Sequence, residues 1–371
     1  MHKVTIQPRW TIERADGEAL PQRLVDVLVG VHEHGSLSRA CQHSGMSYRH
    51  AWQLIRQGEA LFNAPLLTME RGKGSSLTPL GDKLVWADRR VNARLSPLFA
   101  SLASELEAEI DKLCSPPHPL LRIHANHGFA VETLHAALTR AEVPHELKYC
   151  GSVEAVAALH GQACDIAGFA VPLGEFEPEV VAHYSRWLSL RSQKIIHVTT
   201  RQQGVMVARG NPLKIYEVKD LARPGVRFIN RQPGSGTRLL LDLMLRKQGL
   251  EPSAIHGYEQ CEFTHAAVAA YVASGMADAG FGVETPARRF KLDFIPSQTE
   301  RYFLLCDERV FDTPALQQLL GILRSEAFET AVNQLPGYRA EGAGTVMSLG
   351  EAFETLRDAP VRRKRAVRSE K

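Results

Sequence analysis

The run CSPPHP, residues 114–119, is the feature that most constrains what this chain can build. Proline fixes φ and has no amide proton. Two adjacent prolines with a third close by therefore end any helix that reaches them and form a stiff linker. The sequence changes character across this break. Before it, apolar residues recur mostly at helical spacing. After it, strand-like and helix-like pieces alternate: LLRIHA with GFAVETLHAAL, HELKYC with SVEAVAALHG, VRFIN with TRLLLDLMLRKQGL, THAAVAAYVASG with DAGFGV. That alternation predicts an α/β domain with largely parallel pairing over residues 118–356. A length of 371 residues is too great for one ordinary domain.

The segment over residues 1–86 reads differently. RLVDVLVGVHEHG has a helical apolar period that stops at Gly35, and SLSRACQHSG follows with Ser36 as its N-cap. The turn GMS leads into YRHAWQLIRQGEALF, capped by Ser47. Helix, tight glycine turn, helix is the helix-turn-helix pattern. LLTMERGKGSSLTPLGDKL then gives two β-prone runs around a basic glycine-rich tip, a hairpin wing. On the third helix Tyr48, Trp52 and Arg56 recur at four-residue steps, with Arg49 and Gln53 beside them. Arginine reads guanine and glutamine reads adenine, whereas wing residues Arg71 and Lys73 suit phosphate contact. An ordinary charged helix with Trp52 partly in the core is the competing reading.

Residues 87–117 form the expected linker. Leu95, Leu98, Phe99, Leu102, Leu106, Ile110 and Leu113 recur at steps of mostly three or four, opposite Ser101, Ser104, Glu105 and Asp111. Pro97 is expected to kink or split this helix. Such a stripe must be covered, either by a second copy of the helix or by its own domain.

FINRQPGSGTR, residues 228–238, places a glycine–serine loop between a short apolar run and a helix. A helix start offers unpaired N–H groups and partial positive charge, so it binds anions. Similar polar residues recur where strands become helices. They are Asn126 and His127, Ser152 after Gly151, Ser235, Gly236 and Thr237, and Thr264 and His265, and such loops gather at one crevice in open α/β sheets. TTRQQG reads as a lobe crossover contributing Thr200 or Gln203. Arg231 is a further candidate. Ser152 reads equally as a simple cap, and Arg231 and Arg238 as structural partners of Asp242 or Glu284.

GSLSRACQHSGMSYRHAWQLI resembles the winged helix-turn-helix of the molybdate-responsive regulators, whose helix carries G-[IM]-S-Y-[RK]-x-A-W, and more loosely that of LysR-type regulators. FINRQPGSGTRLLLD and THAAVAAYVASGMADAGFGVE resemble the type II periplasmic-binding-protein fold in its molybdate-binding branch. The resemblance implies a transcriptional regulator acting on double-stranded DNA. It implies a homodimer formed through the helix after the wing, with pairing into tetramers left open. It also implies a two-lobed domain closing over molybdate, tungstate or a molybdenum-cofactor-related compound. Formate remains an alternative effector by association with molybdenum-dependent formate dehydrogenases, and a cytosolic oxyanion-storage protein is an alternative of another class.

QPGSGTR departs from the phosphate loop, where lysine follows the last glycine and Thr237 stands here. No GxSxG or HExxH occurs. An enzyme is therefore not expected, nor a cofactor. His32 with His34, and His124 with His127, lack the closed spacing of a metal site. Six scattered cysteines suggest a reduced, cytoplasmic chain, and no apolar run is long enough to span a bilayer. The net charge of +3 does not by itself mark a nucleic-acid binder. The basic tail over residues 357–371 is expected to be disordered.

Overall fold

The computed structural model describes residues 3–70, 74–114 and 120–357. Arg71, Lys73, the proline run and the basic tail beyond residue 357 lie outside these.

Helices α1 (Leu24–His34), α2 (Leu37–Ser44) and α3 (Tyr48–Phe62) form the first unit, followed by a hairpin of β1 (Leu67–Glu70) and β2 (Gly74–Leu77). The chain enters α2 through Ser36, whose side chain accepts from Arg39 N, and α3 through Ser47, which accepts from His50 N. Gly35 and Gly45 close α1 and α2 in the left-handed conformation that glycine adopts without strain. Leu24, Leu28, Ala51, Ile55 and Leu66 are fully buried between the elements. The wing docks through Ser75 Oγ, which accepts from Leu37 N at 2.7 Å.

Helix α4 (Pro79–Cys114) begins inside this unit, where Leu84 and Val85 join its core, and continues without a break. Residues 86 and 87 therefore mark no structural boundary, and Pro97 is accommodated inside a continuous helix rather than splitting it. The faces of α4 are the reverse of what polarity suggests. Ala103, Ser104, Glu107 and Ala108 are buried, while Leu98, Leu102, Leu106, Ile110 and Leu113 are exposed. The cause is a sheet edge. Ser104 Oγ accepts from Leu147 N at 2.8 Å and Ser101 Oγ from Tyr149 N at 2.9 Å. Both donors belong to β4 (His145–Tyr149), an outermost strand that would otherwise present unpaired N–H groups.

The remaining chain is two-lobed and α/β. Strands β3 (Leu121–Ala125), β4 and β5 (Ile166–Pro172), with α5 (Phe129–Arg140), α6 (Ser152–His160) and α7 (Glu177–Tyr184), build one lobe. Strands β7 (Phe228–Arg231), β8 (Cys261–Glu262) and β9 (Ala279–Val283), with α8 (Gly236–Lys247) and α9 (His265–Ala273), build the other. Two 15-residue strands, β6 (Gln193–Val207) and β10 (Asp293–Asp307), run between them, giving the order β4-β3-β5-β10-β6-β9-β7-β8. Pairing is parallel within each lobe, as β3 with β4 and β5, and β7 with β8 and β9. It is antiparallel where β10 meets β5 and β6 and where β6 meets β9. The expectation of largely parallel pairing holds for the lobes and fails at the crossing strands, which each traverse both lobes in one direction and so cannot follow the βαβ pattern. Near the C-terminal end, β11 (Tyr338–Arg339) adds to β6.

Ser104→Ala leaves the Leu147 amide buried without an acceptor. It is expected to lower the urea-unfolding stability by about 1–3 kcal/mol. A loss below about 0.5 kcal/mol would show that α4 does not satisfy the sheet edge.

Candidate functional site

Polar side chains converge where the crossing strands pass between the lobes. Strand alternation puts Thr199, Arg201 and Gln203 on one face of β6 and Thr200 on the other, so Thr200 is not brought to this cluster. Arg201 lies directly opposite Glu300 of β10, and its Nε donates to Glu300 Oε1 at 2.5 Å. Gln203 Nε2 donates to the same oxygen at 2.6 Å and to Thr237 Oγ1 at 3.0 Å, tying the crossing strands to the first turn of α8. Tyr302 places its ring 5.1 Å from the Arg201 guanidinium carbon. Its hydroxyl occupies the space a Cβ at Gly168 would need, which explains a glycine inside β5. From the loop after β3 comes Asn126, buried with Oδ1 unpaired among the described residues, and from the start of α6 and the end of α7 come the buried hydroxyls of Ser152 and Tyr184, which lie beside each other.

Arg231 is the least balanced group. It is 1% exposed and ends β7. Its Nη2 donates to Phe263 O at 2.8 Å and its Nε meets Gln232 Oε1 at 3.3 Å, while Nη1 has no partner. Among the described residues no carboxylate pairs with it. Burial first, and then the charge of Arg201, push its pKa down to about 9. A guanidinium does not give up its proton in practice, so Arg231 remains a buried charge with no carboxylate beside it among the described residues. Burial lowers the Arg201 pKa as well, but Glu300 together with Tyr338 and Tyr302 outweighs it, so the net shift is upward. His265 responds to both arginines. Burial and then Arg231 and Arg201 hold its pKa well below the ordinary value, so the ring is neutral. Its Nδ1 accepts from Val283 N at 3.3 Å, which leaves the proton on Nε2 as an unpaired donor. The hydroxyls of Tyr184, Tyr302 and Tyr338 are kept protonated, each raised chiefly by burial. The result is a buried cluster, rich in donors, with two guanidinium groups against one carboxylate.

Other expected ligands have their polar atoms engaged elsewhere. Ser235 caps α8 by accepting from Arg238 N at 3.1 Å, and Gly236 sits beside the Ser152 and Tyr184 hydroxyls, each 3.8 Å from where its Cβ would be. Ser152 is the first residue of α6 and Gly151 is the cap, so the simple-cap reading does not describe it. Thr264 Oγ1 accepts from Ala267 N at 2.8 Å and donates to Ala93 O of α4 at 2.9 Å, leaving no proton for an anion. His127 Nε2 lies 2.6 Å from Glu132 Oε1. It lines a separate cavity of about 440 Å³ between the N-terminal residues 3–8, α4 and α5. Arg238 pairs with Glu259 at 3.1 Å, Arg288 with Glu284 at 2.7 Å, and Asp242 accepts from Tyr258. The structural pairings expected for Arg231 and Arg238 with Asp242 or Glu284 are therefore not formed. Arg201, Glu300, Tyr184, Tyr302 and Tyr338 were not anticipated. The two-residue period of TTRQQG already put Arg201 beside Gln203, and was the one signal available.

The surface around α3 is a second candidate site. Arg49, Gln53 and Arg56 are exposed and, with half-buried Trp52, line one shallow depression. Arg56 stacks 5.5 Å from the Trp52 ring, and Tyr48 meets that ring edge-on. Ser36 and Ser47 stand at the helix starts as caps, each accepting a backbone amide proton.

A family model described as PBP superfamily domain matches residues 134–324, and one described as bacterial regulatory helix-turn-helix protein, lysR family, matches residues 22–82. A Bacillus subtilis protein, YvgK, is 34% identical over 200 residues, spanning 54% of this chain and 64% of its own length. The molybdenum-pterin-binding protein MopB of Rhodobacter capsulatus is 29% identical over 105 residues, 27% of this chain and 39% of its own. The chain thus covers less than two thirds of the length of either. Among solved structures, OxyR of Corynebacterium glutamicum superposes with a TM-score of 0.43 at 13% identity, covering 85% of this chain and 94% of that one.

Arg231→Met removes the uncompensated charge at similar side-chain length. The unliganded protein is expected to be unchanged or up to about 4 kcal/mol more stable, since replacing buried charge by packed apolar surface is often favourable. A loss above about 1 kcal/mol in urea unfolding would mean that the charge is balanced within the protein.

Proposed function

The chain belongs to the PBP superfamily, and on that premise we propose that it is a LysR-type transcriptional regulator whose effector is a small oxyanion held at Arg201 and Arg231. The observation that carries this reading is the charge imbalance, two buried guanidinium groups facing the single carboxylate of Glu300. An anion bound there restores neutrality and supplies acceptors for Arg231 Nη1, Arg201 Nη2, His265 Nε2 and the buried hydroxyls. Molybdate, tungstate or a molybdenum-cofactor-related compound is the effector class supported by the helix signature GMSYRHAW and by the printed name of the Rhodobacter relative. Genes of molybdenum enzymes, formate dehydrogenase among them, are the corresponding targets. Formate itself is a second reading, favoured because the excess charge of Arg201, Arg231 and Glu300 together is a single positive one, which matches a monoanion.

In this reading α3 enters the major groove with Arg49, Gln53 and Arg56 toward base edges, while Arg71 and Lys73 reach phosphates. Two copies pair through Leu98, Leu102, Leu106, Ile110 and Leu113, whose exposure on one face of α4 leaves an apolar stripe for a partner to cover. The effector is coupled to this helix by residues 262–265. Phe263 O holds Arg231, and His265 faces the arginines. Between them Thr264 bonds Ala93 O, and Glu262 pairs with Arg94 at 3.2 Å and Arg90 at 4.0 Å. A ligand that prefers one position of Arg231 thereby biases α4 and the paired winged helices.

Molybdate, tungstate, sulfate, phosphate and formate at millimolar excess test the site by thermal shift. At least one is expected to raise the melting temperature, and none should do so in Arg231→Met. Mobility shift with operator-containing duplex tests the regulator, and absence of sequence-specific binding with and without anion would sink it. For the coupling, Glu262→Gln is expected to keep the anion-induced thermal shift while reducing the anion's effect on DNA affinity severalfold. Equal DNA responses in variant and wild type would exclude this route.

A further inference from the structure

The effector site contains an acceptor as well as donors, and the surrounding network fixes which way it points. Glu300, ion-paired to Arg201, is a carboxylate and only accepts, so the amide nitrogen of Gln203 must be the end that faces it. The second amide proton goes to Thr237 Oγ1. Gln203 is wholly buried, and its Oε1 is left with no donor among the described residues. Asn126 Oδ1 is also buried without a donor among the described residues. A buried carbonyl without a donor is unfavourable, and a bare oxyanion, having only acceptor oxygens, makes it worse by placing lone pairs against it.

We propose that Gln203 is the specificity-determining residue of the effector site, selecting an oxyanion that brings its own O–H or N–H over a bare dianion. The proposal rests on the reading of this cluster as the effector site. Its chemistry has two parts. The anionic oxygens of the ligand meet Arg231 Nη1, Arg201 Nη2 and His265 Nε2, and its proton-bearing group donates to Gln203 Oε1. The neighbouring Glu300 carboxylate penalises any further unprotonated oxygen on that side. The fitting class is a protonated tetrahedral anion, or an organic phosphate or carboxylate with a hydroxyl or amine near the charge. Free molybdate is a bare dianion at neutral pH, so a molybdenum effector would be a compound carrying such donors rather than the free ion.

Inorganic phosphate keeps at least one O–H at neutral pH, whereas sulfate and molybdate are tetrahedral and bare. Titration calorimetry of the full-length protein is expected to give phosphate at least about tenfold tighter than either, the effect of one hydrogen bond to a charged ligand. In Gln203→Met the preference should fall to about threefold or less, with a melting curve verifying that the variant is folded. Sulfate or molybdate binding as tightly as phosphate to wild type would overturn the assignment while leaving the effector site intact. So would an undiminished preference in Gln203→Met. Binding of formate or tungstate alone would likewise overturn the assignment, and if none of phosphate, sulfate, molybdate, tungstate and formate binds, the effector-site reading itself falls and the proposal with it.

Discussion

The pairing of Arg201 with Glu300 across β6 and β10 is the interaction on which the rest depends. Each residue sits on a long strand that runs between the lobes, and each is almost wholly inaccessible. A buried ion pair of this kind adds little net stability, because both groups must be desolvated. What it does is fix positions. Glu300 orients Gln203, Gln203 holds Thr237 at the start of α8, and the Arg201 side chain lies against Tyr302. With its carboxylate committed to Arg201, Glu300 leaves Arg231 unbalanced. The excess positive charge of the cluster therefore follows from how charged groups are distributed between two strands and one lobe, and not from any single loop.

That distribution also explains why one short segment carries so much. Residues 262–265 alternate between two neighbours. The carbonyl of Phe263 and the ring of His265 belong to the buried cluster, whereas Glu262 and Thr264 hold α4. Trp86 Nε1 donates to Ala270 O at 3.3 Å and extends the same contact along α9. Because α4 runs unbroken into the core of the winged helix-turn-helix, a small shift of this segment has a rigid element to act on.

Local features were readable in the sequence because their physics is local. Ser36, Ser47, Ser235 and Thr264 each stand immediately before a helical period, and each accepts an amide proton from three residues on. The glycine turn before α3, the wing and most α/β elements follow from the same short-range rules. The site itself was legible only in part. Gln203, Thr237, Arg231 and His265 come from loops and strand ends that sequence reasoning selects. Glu300, Tyr302 and Tyr338 are about 100 or more residues from Arg201 along the chain and meet it only through antiparallel pairing. TTRQQG reads as a lobe crossover, but a linear pattern shows neither its full length nor its partner strand, so the choice between Thr200 and Gln203 turned on facing alone.

Helix α4 shows the limit of polarity as a guide to burial. Its serines face inward because an edge strand offers N–H donors, and a hydroxyl satisfies them where leucine could not. Once Ser101 and Ser104 are committed to β4, the 3.6-residue period forces Leu98, Leu102, Leu106 and Ile110 outward. The apolar stripe is thus the complement of an internal hydrogen-bonding requirement and remains available for association. A helix that seals its own sheet edge on one side and offers leucines on the other ties the geometry of any partner contact to the position of the effector lobe. Because Ser101 and Ser104 fix α4 to β4, a movement of β4 relative to the crossing strands would carry this stripe with it.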